Sequence, residues 1–289
     1  MRCSTAKIGK KIMFTLNSHS KTINITTPLV MGVLNCTNDS FYESSRSLLL
    51  PELEVKIDQL ILEGADIIDI GGQSTKPGAI QISPDLEIER IKGALEYIKY
   101  SYPNQWCSID TTSAQVAQYA VTNGVDIIND VSAGNLDVFM LDLVASLGVP
   151  YVAMHMQGRP ENMQEAPLYT NVTKEIISFF EEKINLFKEK GIKQVILDPG
   201  FGFGKTIKHN YQLMAELDQF TDLNFPILVG VSRKSMIYKL LDCTADEALS
   251  GTVALNTFAL LKGVSILRVH DVKAAKEVVQ IYNQLNLYK

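Results

Sequence analysis

The feature that most constrains this chain is a rhythm. Between Leu29 and the C-terminus, eight short β-branched runs alternate with stretches of helical spacing; the runs fall at 29–34, 67–70, 106–109, 127–129, 151–154, 195–197, 227–231 and 266–269. Strands separated by helices pair in parallel, because each helix must cross back over the sheet before the next strand begins. Eight such units predict an α/β fold, the (β/α)8 TIM barrel. An open doubly wound sheet is the rival, but no linker rich in Pro, Ser or charge divides the units, which favours closure. The expectation is a single domain over 1–289, in which residues 1–28 form an N-terminal extension.

The helical stretches carry one apolar stripe each. Leu53, Ile57, Leu60 and Ile61 recur at three-and-four spacing, as do Ile88, Ile91, Leu95 and Ile98, the second set opened by Ser83 as N-cap and Pro84 at the first helical position. Gly64, Gly124, Gly148, Gly191 and Gly263 each stand between a helical pattern and the next strand, where a left-handed cap is wanted. Ahead of the first unit, 11–17 and 21–26 flank the polar turn at Ser18, His19 and Ser20, and so predict a hairpin that covers the barrel floor.

Composition removes several classes of function. With 27 Lys and Arg against 32 Asp and Glu in 289 residues, the net charge is −5, and basic residues are never massed beyond pairs such as Arg233-Lys234. Neither a nucleic-acid stripe nor a patch for an anionic membrane is present. Cys3, Cys36, Cys107 and Cys243 lie far apart, without a C-x-x-C pair or zinc-like histidine spacing, so no disulfide framework or zinc knuckle is expected. No apolar stretch of signal-peptide length follows the basic N-terminus, and the longest apolar region, 252–267, is interrupted by Asn256, Thr257, Lys262 and Ser265. A cytoplasmic location is the expectation.

In a (β/α)8 barrel, chemistry gathers in the loops after the strands. Here nearly every strand ends in something polar: Asn35, the 69–75 loop, Asp110, Asn129 with Asp130, His155, Asp198, the 232–235 run, and Arg268 with His270. Singly, each has a bland reading; Asp110 could cap the helix near Ser113, and Asn129 could satisfy a turn. Together they make a ring of acceptors (Asp110, Asp198), amides (Asn35, Asn129) and cations (Lys234, Arg268). Such a ring suits a planar, heteroatom-rich ligand joined to an anionic group. Asp198 could accept two parallel N–H bonds from a guanidine-like edge, and Arg268 and His270 follow the last strand, where this fold often binds phosphate.

The segment from Asp198 to Lys205 has G-x-G-x-G spacing, which matches neither the dinucleotide fingerprint nor the Walker pattern. Its glycines allow close approach to a ligand, with Phe201 or Phe203 as an aromatic wall or as packing. His19 and His209 have no partner signal and read as surface residues, while His155, between Met154 and Met156, supports structural and functional readings equally. No His-rich ligand set suggests zinc or iron; magnesium held through one side chain and substrate phosphates is compatible.

These residues resemble a known family. Met31-Gly-Val-Leu-Asn-Cys-Thr-Asn-Asp-Ser-Phe41, the 64–78 segment, Ser108-Ile-Asp-Thr-Thr112, His155-Met-Gln-Gly158, the 198–205 segment, Ser232-Arg-Lys-Ser235 and Arg268-Val-His270 are similar, in order, to the signatures of the dihydropteroate synthases. The resemblance implies a folate-pathway transferase and sulfonamide target that condenses 6-hydroxymethyl-7,8-dihydropterin diphosphate with 4-aminobenzoate, giving 7,8-dihydropteroate and pyrophosphate, with Mg2+. It assigns catalytic roles to Asp110, Asp198 and Lys234. The pterin pocket would be Asp110, Asn129, Met154, Asp198, Phe203 and Lys234. Asn35, Thr75, Arg268 and His270 would hold the diphosphate, Asn35 also reaching the metal. The aminobenzoate would lie among Phe41, Thr75, Lys76, Pro77, Phe203 and Ser232. Cations on one side would stabilise the leaving pyrophosphate while carboxylates on the other stabilise the developing pterin cation.

Asn38, Gln73 and Lys76 depart from the family's usual Pro, Glu and Arg, which leaves the sulfonamide response open. A homodimer is expected from family habit and from apolar positions Val278, Val279 and Ile281 on the last helix. Three alternatives stand beside this reading: a pterin-dependent methyltransferase, an aldolase-like barrel using Lys234 as a Schiff-base amine, and a pterin-binding module without turnover.

Overall fold

A computed structural model describes residues 13–19, 21–37, 46–74, 81–158, 163 and 167–288, with side chains from residue 50 onward in the first helix. The hairpin is present as β1 (Phe14–Ser18) and β2 (Lys21–Ile25), paired antiparallel with Leu16 opposite Ile23. The repeating units then follow in order as β3 (Leu29–Asn35), α1 (Arg46–Leu62), β4 (Ile67–Gly71), α2 (Pro84–Ser101), β5 (Trp106–Asp110), α3 (Ala114–Thr122), β6 (Ile127–Asp130) and α4 (Met140–Leu147). The second half comprises β7 (Tyr151–Met154), α5 (Val172–Glu189), β8 (Val195–Asp198), α6 (Ile207–Ala215), β9 (Leu228–Val229), α7 (Ser235–Tyr238), α8 (Leu249–Leu261), β10 (Ile266–Val269) and α9 (Val272–Asn286).

All pairings among β3 to β10 are parallel, in the order β8-β7-β6-β5-β4-β3-β10-β9. A parallel bridge between Leu197 and Ile227, with Leu197 N–H donating to Pro226 O at 2.9 Å, joins the two edges and makes the sheet a barrel. The strand expected over 227–231 is reduced to two residues because Pro226 offers no N–H before it, and the Val231 carbonyl turns back to accept from Lys234 N.

Alternation along the strands builds two cores. Outward residues pack on the helices, while Leu29, Met31, Ile67, Trp106, Ile127, Val152, Ile196, Leu228 and Ile266 meet inside the barrel. Leu16 and Ile25 of the hairpin complete that inner cluster, so the hairpin is the barrel's floor. It is tied down by Lys21 Nζ on Asp126 Oδ2 (3.0 Å) and by Gln194, whose amide exchanges two hydrogen bonds with the Asn17 backbone.

The local signals take the expected forms. Ser83 Oγ accepts from Leu86 N with Pro84 following it, and the five glycines all have φ between 66° and 101°. The surface expectation for the last helix is corrected: Val278 and Val279 are buried, 6% and 4% exposed, because α9 packs against α8, β3 and β10, while Ile281 and Leu285 reach solvent. No helix among the described residues is long and apolar enough to cross a membrane. Cys36, Cys107 and Cys243 are unbridged, and burial pushes the first two thiols up to about 12.

Candidate functional site

Two or four residues above five of the floor positions, the same inward face turns polar. Asp69 follows Ile67, Ser108 and Asp110 follow Trp106, Asn129 follows Ile127, Asp198 follows Ile196, and Arg268 follows Ile266. The alternation that buries the floor thus aims these side chains at the barrel mouth.

Arg268 is the hub. Its Nε donates to Asp69 Oδ2 at 2.6 Å and its Nη2 to Asp110 Oδ2 at 2.6 Å, while Asn129 Nδ2 donates to the same Asp69 oxygen at 3.1 Å. The structure therefore interleaves charges that the sequence reading placed on opposite sides: the cation nearest the last strand is held between two carboxylates. A buried guanidinium needs such partners, and its planar fork can serve both at once. Burial works against the charge of Arg268, but Asp69 and Asp110 overcome it and hold its pKa above the ordinary value. Asp110 is pushed up to about 7 by burial, with Arg268 pulling the other way and Asp69, Glu87 and Asp130 adding to the rise.

Across the mouth, Asp198 is raised by burial and restrained by Lys234, by the Gly200 N–H on its Oδ1 (2.7 Å) and by Arg268. Lys234 is brought down to about 8 by burial, against the attraction of Asp198. Its Nζ donates to Phe201 O and stands 4.8 Å from the centre of the Phe203 ring. The two phenylalanines divide: Phe201 is fully buried packing, whereas Phe203 is half-buried, with its ring beside Lys234 Nζ.

Met154 is buried beside Gly200, its Cγ 3.2 Å from where a Cβ on that glycine would stand. Ser232 is buried, and its hydroxyl meets both the N–H (3.2 Å) and the Nδ1 (3.1 Å) of His270 at the rim. His270 keeps an exposed edge at the rim, and desolvation of its ring, then Arg268, brings it down to about 4. Asn35 is exposed at the end of β3; its Oδ1 lies 4.0 Å, and the Asp110 Cβ 3.8 Å, from the position a Cβ on Gly71 would occupy. Phe41, Thr75, Lys76 and Pro77 lie outside the described residues, as does Asn38.

Several expectations change. Asp110 does not cap the following helix; Ser113 does, with Asp137 Oδ2 taking Ala114 N. Nor does Asn129 serve a turn, a task that falls to buried Asp130, which accepts from Ser132 N, Gly134 N and Tyr151 OH. His209 is half-buried rather than free on the surface, because it exchanges capping bonds with Thr206 and packs edge-on against Tyr169. His155 resolves to a structural role: burial and the neighbouring Lys205 hold it neutral, its pKa down at about 2.

Two residues gain partners that no local motif supplies. Asp69, the first residue of the 69–75 loop, sits two positions beyond Ile67 on the inward face, where Arg268 and Asn129 meet it. Lys205, the last residue of the 198–205 segment, turns inward to the carbonyls of Gly200 and Phe203. Asp69 Oδ1, Asp110 Oδ1 and Ser108 Oγ are buried acceptors without a hydrogen-bond partner among the described residues. Buried polar atoms are rarely left so, which marks the mouth as a place for a donor-rich ligand. Among the described residues no cluster of three or more His, Cys, Asp or Glu is arranged for a metal. The single hard oxygen of Asn35 beside Asp110 fits magnesium, which takes few protein oxygens and completes its shell with phosphate and water.

Known proteins resemble this chain along most of its length. The family described as pterin binding enzyme matches residues 31–270. The dihydropteroate synthase of Escherichia coli strain K12 is 40% identical over 268 residues, covering 92% of this chain and 94% of that protein. The Yersinia pestis dihydropteroate synthase, solved with a sulfonamide drug complex, superposes with a TM-score of 0.88 at 36% identity, over 96% of this chain and 100% of that one. The Xanthomonas albilineans synthase in complex with 7,8-dihydropteroate does so with 0.83 at 31% identity, over 94% and 98%.

Proposed function

The chain belongs to the dihydropteroate synthase family, and we propose on that premise that its barrel mouth joins 6-hydroxymethyl-7,8-dihydropterin diphosphate to 4-aminobenzoate. The observation that carries this reading is the ring of buried Asp69, Asp110, Asn129 and Asp198 with half-buried Lys234 and Arg268, four acceptor-bearing and two cationic side chains in one electrostatic neighbourhood.

Asp198, buried and ionisable, accepts paired N–H bonds from the amino-pyrimidinone edge of the pterin, while Asn129 and Asp110 meet the rest of its heteroatoms and Met154 lies against the ring. Arg268, His270, Asn35 and Thr75 hold the diphosphate. Phe203, Ser232, Phe41, Thr75, Lys76 and Pro77 surround the aminobenzoate. Magnesium, when bound through Asn35 and the diphosphate, would neutralise charge on the leaving group.

In the reaction the bond between the pterin methylene carbon and the diphosphate oxygen breaks, and both electrons leave with pyrophosphate. The arylamine nitrogen forms the new C–N bond and sheds one proton to water. The amine is already neutral near pH 7, so no strong base is required. What the chain supplies is preorganised polarity: Asp198 and, once ionised, Asp110 stabilise the electron-poor pterin methylene, while Arg268 and, once the bound polyanion has restored its proton, His270 receive the negative charge on the pyrophosphate. Because Arg268 is prepaired with Asp69 and Asp110, it is already oriented when the charge develops. A homodimer in the cytoplasm fits the exposed apolar positions Ile281, Leu285, Phe258 and Leu261 on α8 and α9 and the family's habit.

The test is product formation. With both substrates the protein is expected to release pyrophosphate and form 7,8-dihydropteroate, and Lys234→Ala and Asp198→Asn to lose at least about 100-fold in kcat/KM while remaining folded. Tight pterin binding without pyrophosphate release would make the chain a binding module. Undiminished turnover in the two variants would overturn the assignment of the site.

A further inference from the structure

We propose that Lys205 is a positioning residue for the arylamine: by gathering the carbonyls of the 200–205 loop onto its ammonium it fixes the Phe203 ring. This inference deepens the function proposed above and rests on it.

Lys205 is 3% exposed, and no carboxylate among the described residues pairs with it at salt-bridge distance. A buried cation of that kind is expensive unless something else needs its donors. Here the donors are spoken for: Nζ meets Gly200 O at 2.8 Å, Phe203 O at 3.0 Å, His155 Nδ1 at 3.1 Å and His155 O at 3.4 Å. Three backbone carbonyls from two different loops thus converge on one ammonium. They can do so because Gly200, Gly202 and Gly204 are left-handed, with φ of 71°, 85° and 60°, which curls the loop around the lysine.

The opposite side of the loop is held separately. Gly202 N–H donates to Asn210 Oδ1 (2.8 Å), Gly200 N–H to Asp198, and Tyr169 OH to Gly204 O (3.0 Å). Two groups that face the mouth hang on this loop: the Phe203 ring, and Lys234 through its bond to Phe201 O, with Nζ and ring 4.8 Å apart. Without the ammonium, three carbonyls would lose their shared donor and turn toward water, carrying Phe203 with them. The pterin contacts of Asp110, Asn129 and Arg268 belong to other strands and would stay in place.

The experiment compares wild type with Lys205→Met, of similar length but without donors. The expected result is a rise of about 10- to 100-fold in KM for 4-aminobenzoate, larger than the losses in kcat and in affinity for dihydropterin diphosphate that follow from the Lys234 contact with the same loop. Amide exchange at Gly202 and Phe203, measured without substrates, is expected to accelerate at least about tenfold. Should the Met variant fail to fold, Lys205→Gln keeps two N–H donors one atom short of the carbonyls and is expected to give an intermediate KM. Unchanged exchange overturns the inference, as does an unchanged aminobenzoate KM in either variant. If wild type forms no product, the proposed function fails, and the exchange measurement still decides whether Lys205 holds the loop.

Discussion

Replacing Asp110 by Asn tests which of two opposing forces governs the site. Burial raises the Asp110 carboxyl and Arg268 at 2.6 Å lowers it, with the balance at about 7, against 3.8 for the free group. A carboxyl raised in the folded state binds its proton there while the unfolded chain has released it. The contribution to stability is therefore fully present below about pH 4 and lost as pH rises through about 7. One proton held only by the folded state gives a slope of about −1.4 kcal/mol per pH unit, accumulating to roughly 4 kcal/mol over the window. Glu87, also pushed up to about 7 by burial, contributes with the same sign, but it remains in both proteins. The difference between wild type and Asp110→Asn reports the Asp110 carboxyl together with its coupling to Glu87, Asp69 and Arg268. Urea unfolding of the ligand-free proteins from about pH 4.5 to about pH 7.5 is expected to show wild type losing about 3–4 kcal/mol relative to the variant. Parallel curves would mean that Asp110 does not titrate in this range. If wild type gains on the variant as pH rises, the Arg268 pair outweighs burial and the reasoning is refuted.

Further outcomes follow from the same geometry. His270, lowered to about 4, is neutral in the ligand-free protein near pH 5.5, and an adjacent polyanion should restore its proton. Calorimetry of diphosphate-substrate binding in buffers of different ionisation heat is expected to detect proton uptake that His270→Gln removes; no uptake in wild type would disconnect His270 from the anion. Gly200→Ala would place a Cβ 2.0 Å from His155 O at φ +71°, whereas one on Gly124 at φ +101° meets nothing within 4 Å. Thermal and urea melts should show the first destabilised by more than about 3 kcal/mol and the second by about 1–2 kcal/mol; equal losses would mean that the close approach at the loop is relieved without strain.

How much of this was legible beforehand differs from residue to residue. Strand positions such as 67–70 and 151–154, the Ser83 cap, the glycine caps and the floor hairpin are all specified by neighbours within a few positions, because periodicity, capping and turn chemistry are local properties of the chain. The strand ends that carry Asp110, Asn129, Asp198 and Arg268 followed from the same rhythm, once a barrel was inferred. The similarity to the synthase family added substrates that spacing alone could not name.

What remained hidden depended on distance across the barrel. Arg268 and Asp69 are 199 residues apart in sequence, and no local pattern says that the last strand's cation will be locked between carboxylates of β4 and β5. Lys205 is in sequence only the tail of a glycine motif, and it is the fold that brings three carbonyls onto it. Val278 and Val279 looked exposed because a helix's buried stripe is set by the helices and strands it meets. Sequence by itself determined which residues become strands, helices and turns, and at which strand ends polar groups collect. Tertiary structure alone decided which of those groups share a proton, a charge or a carbonyl, since pairing and desolvation arise only when the sheet closes and brings distant side chains into one low-dielectric space.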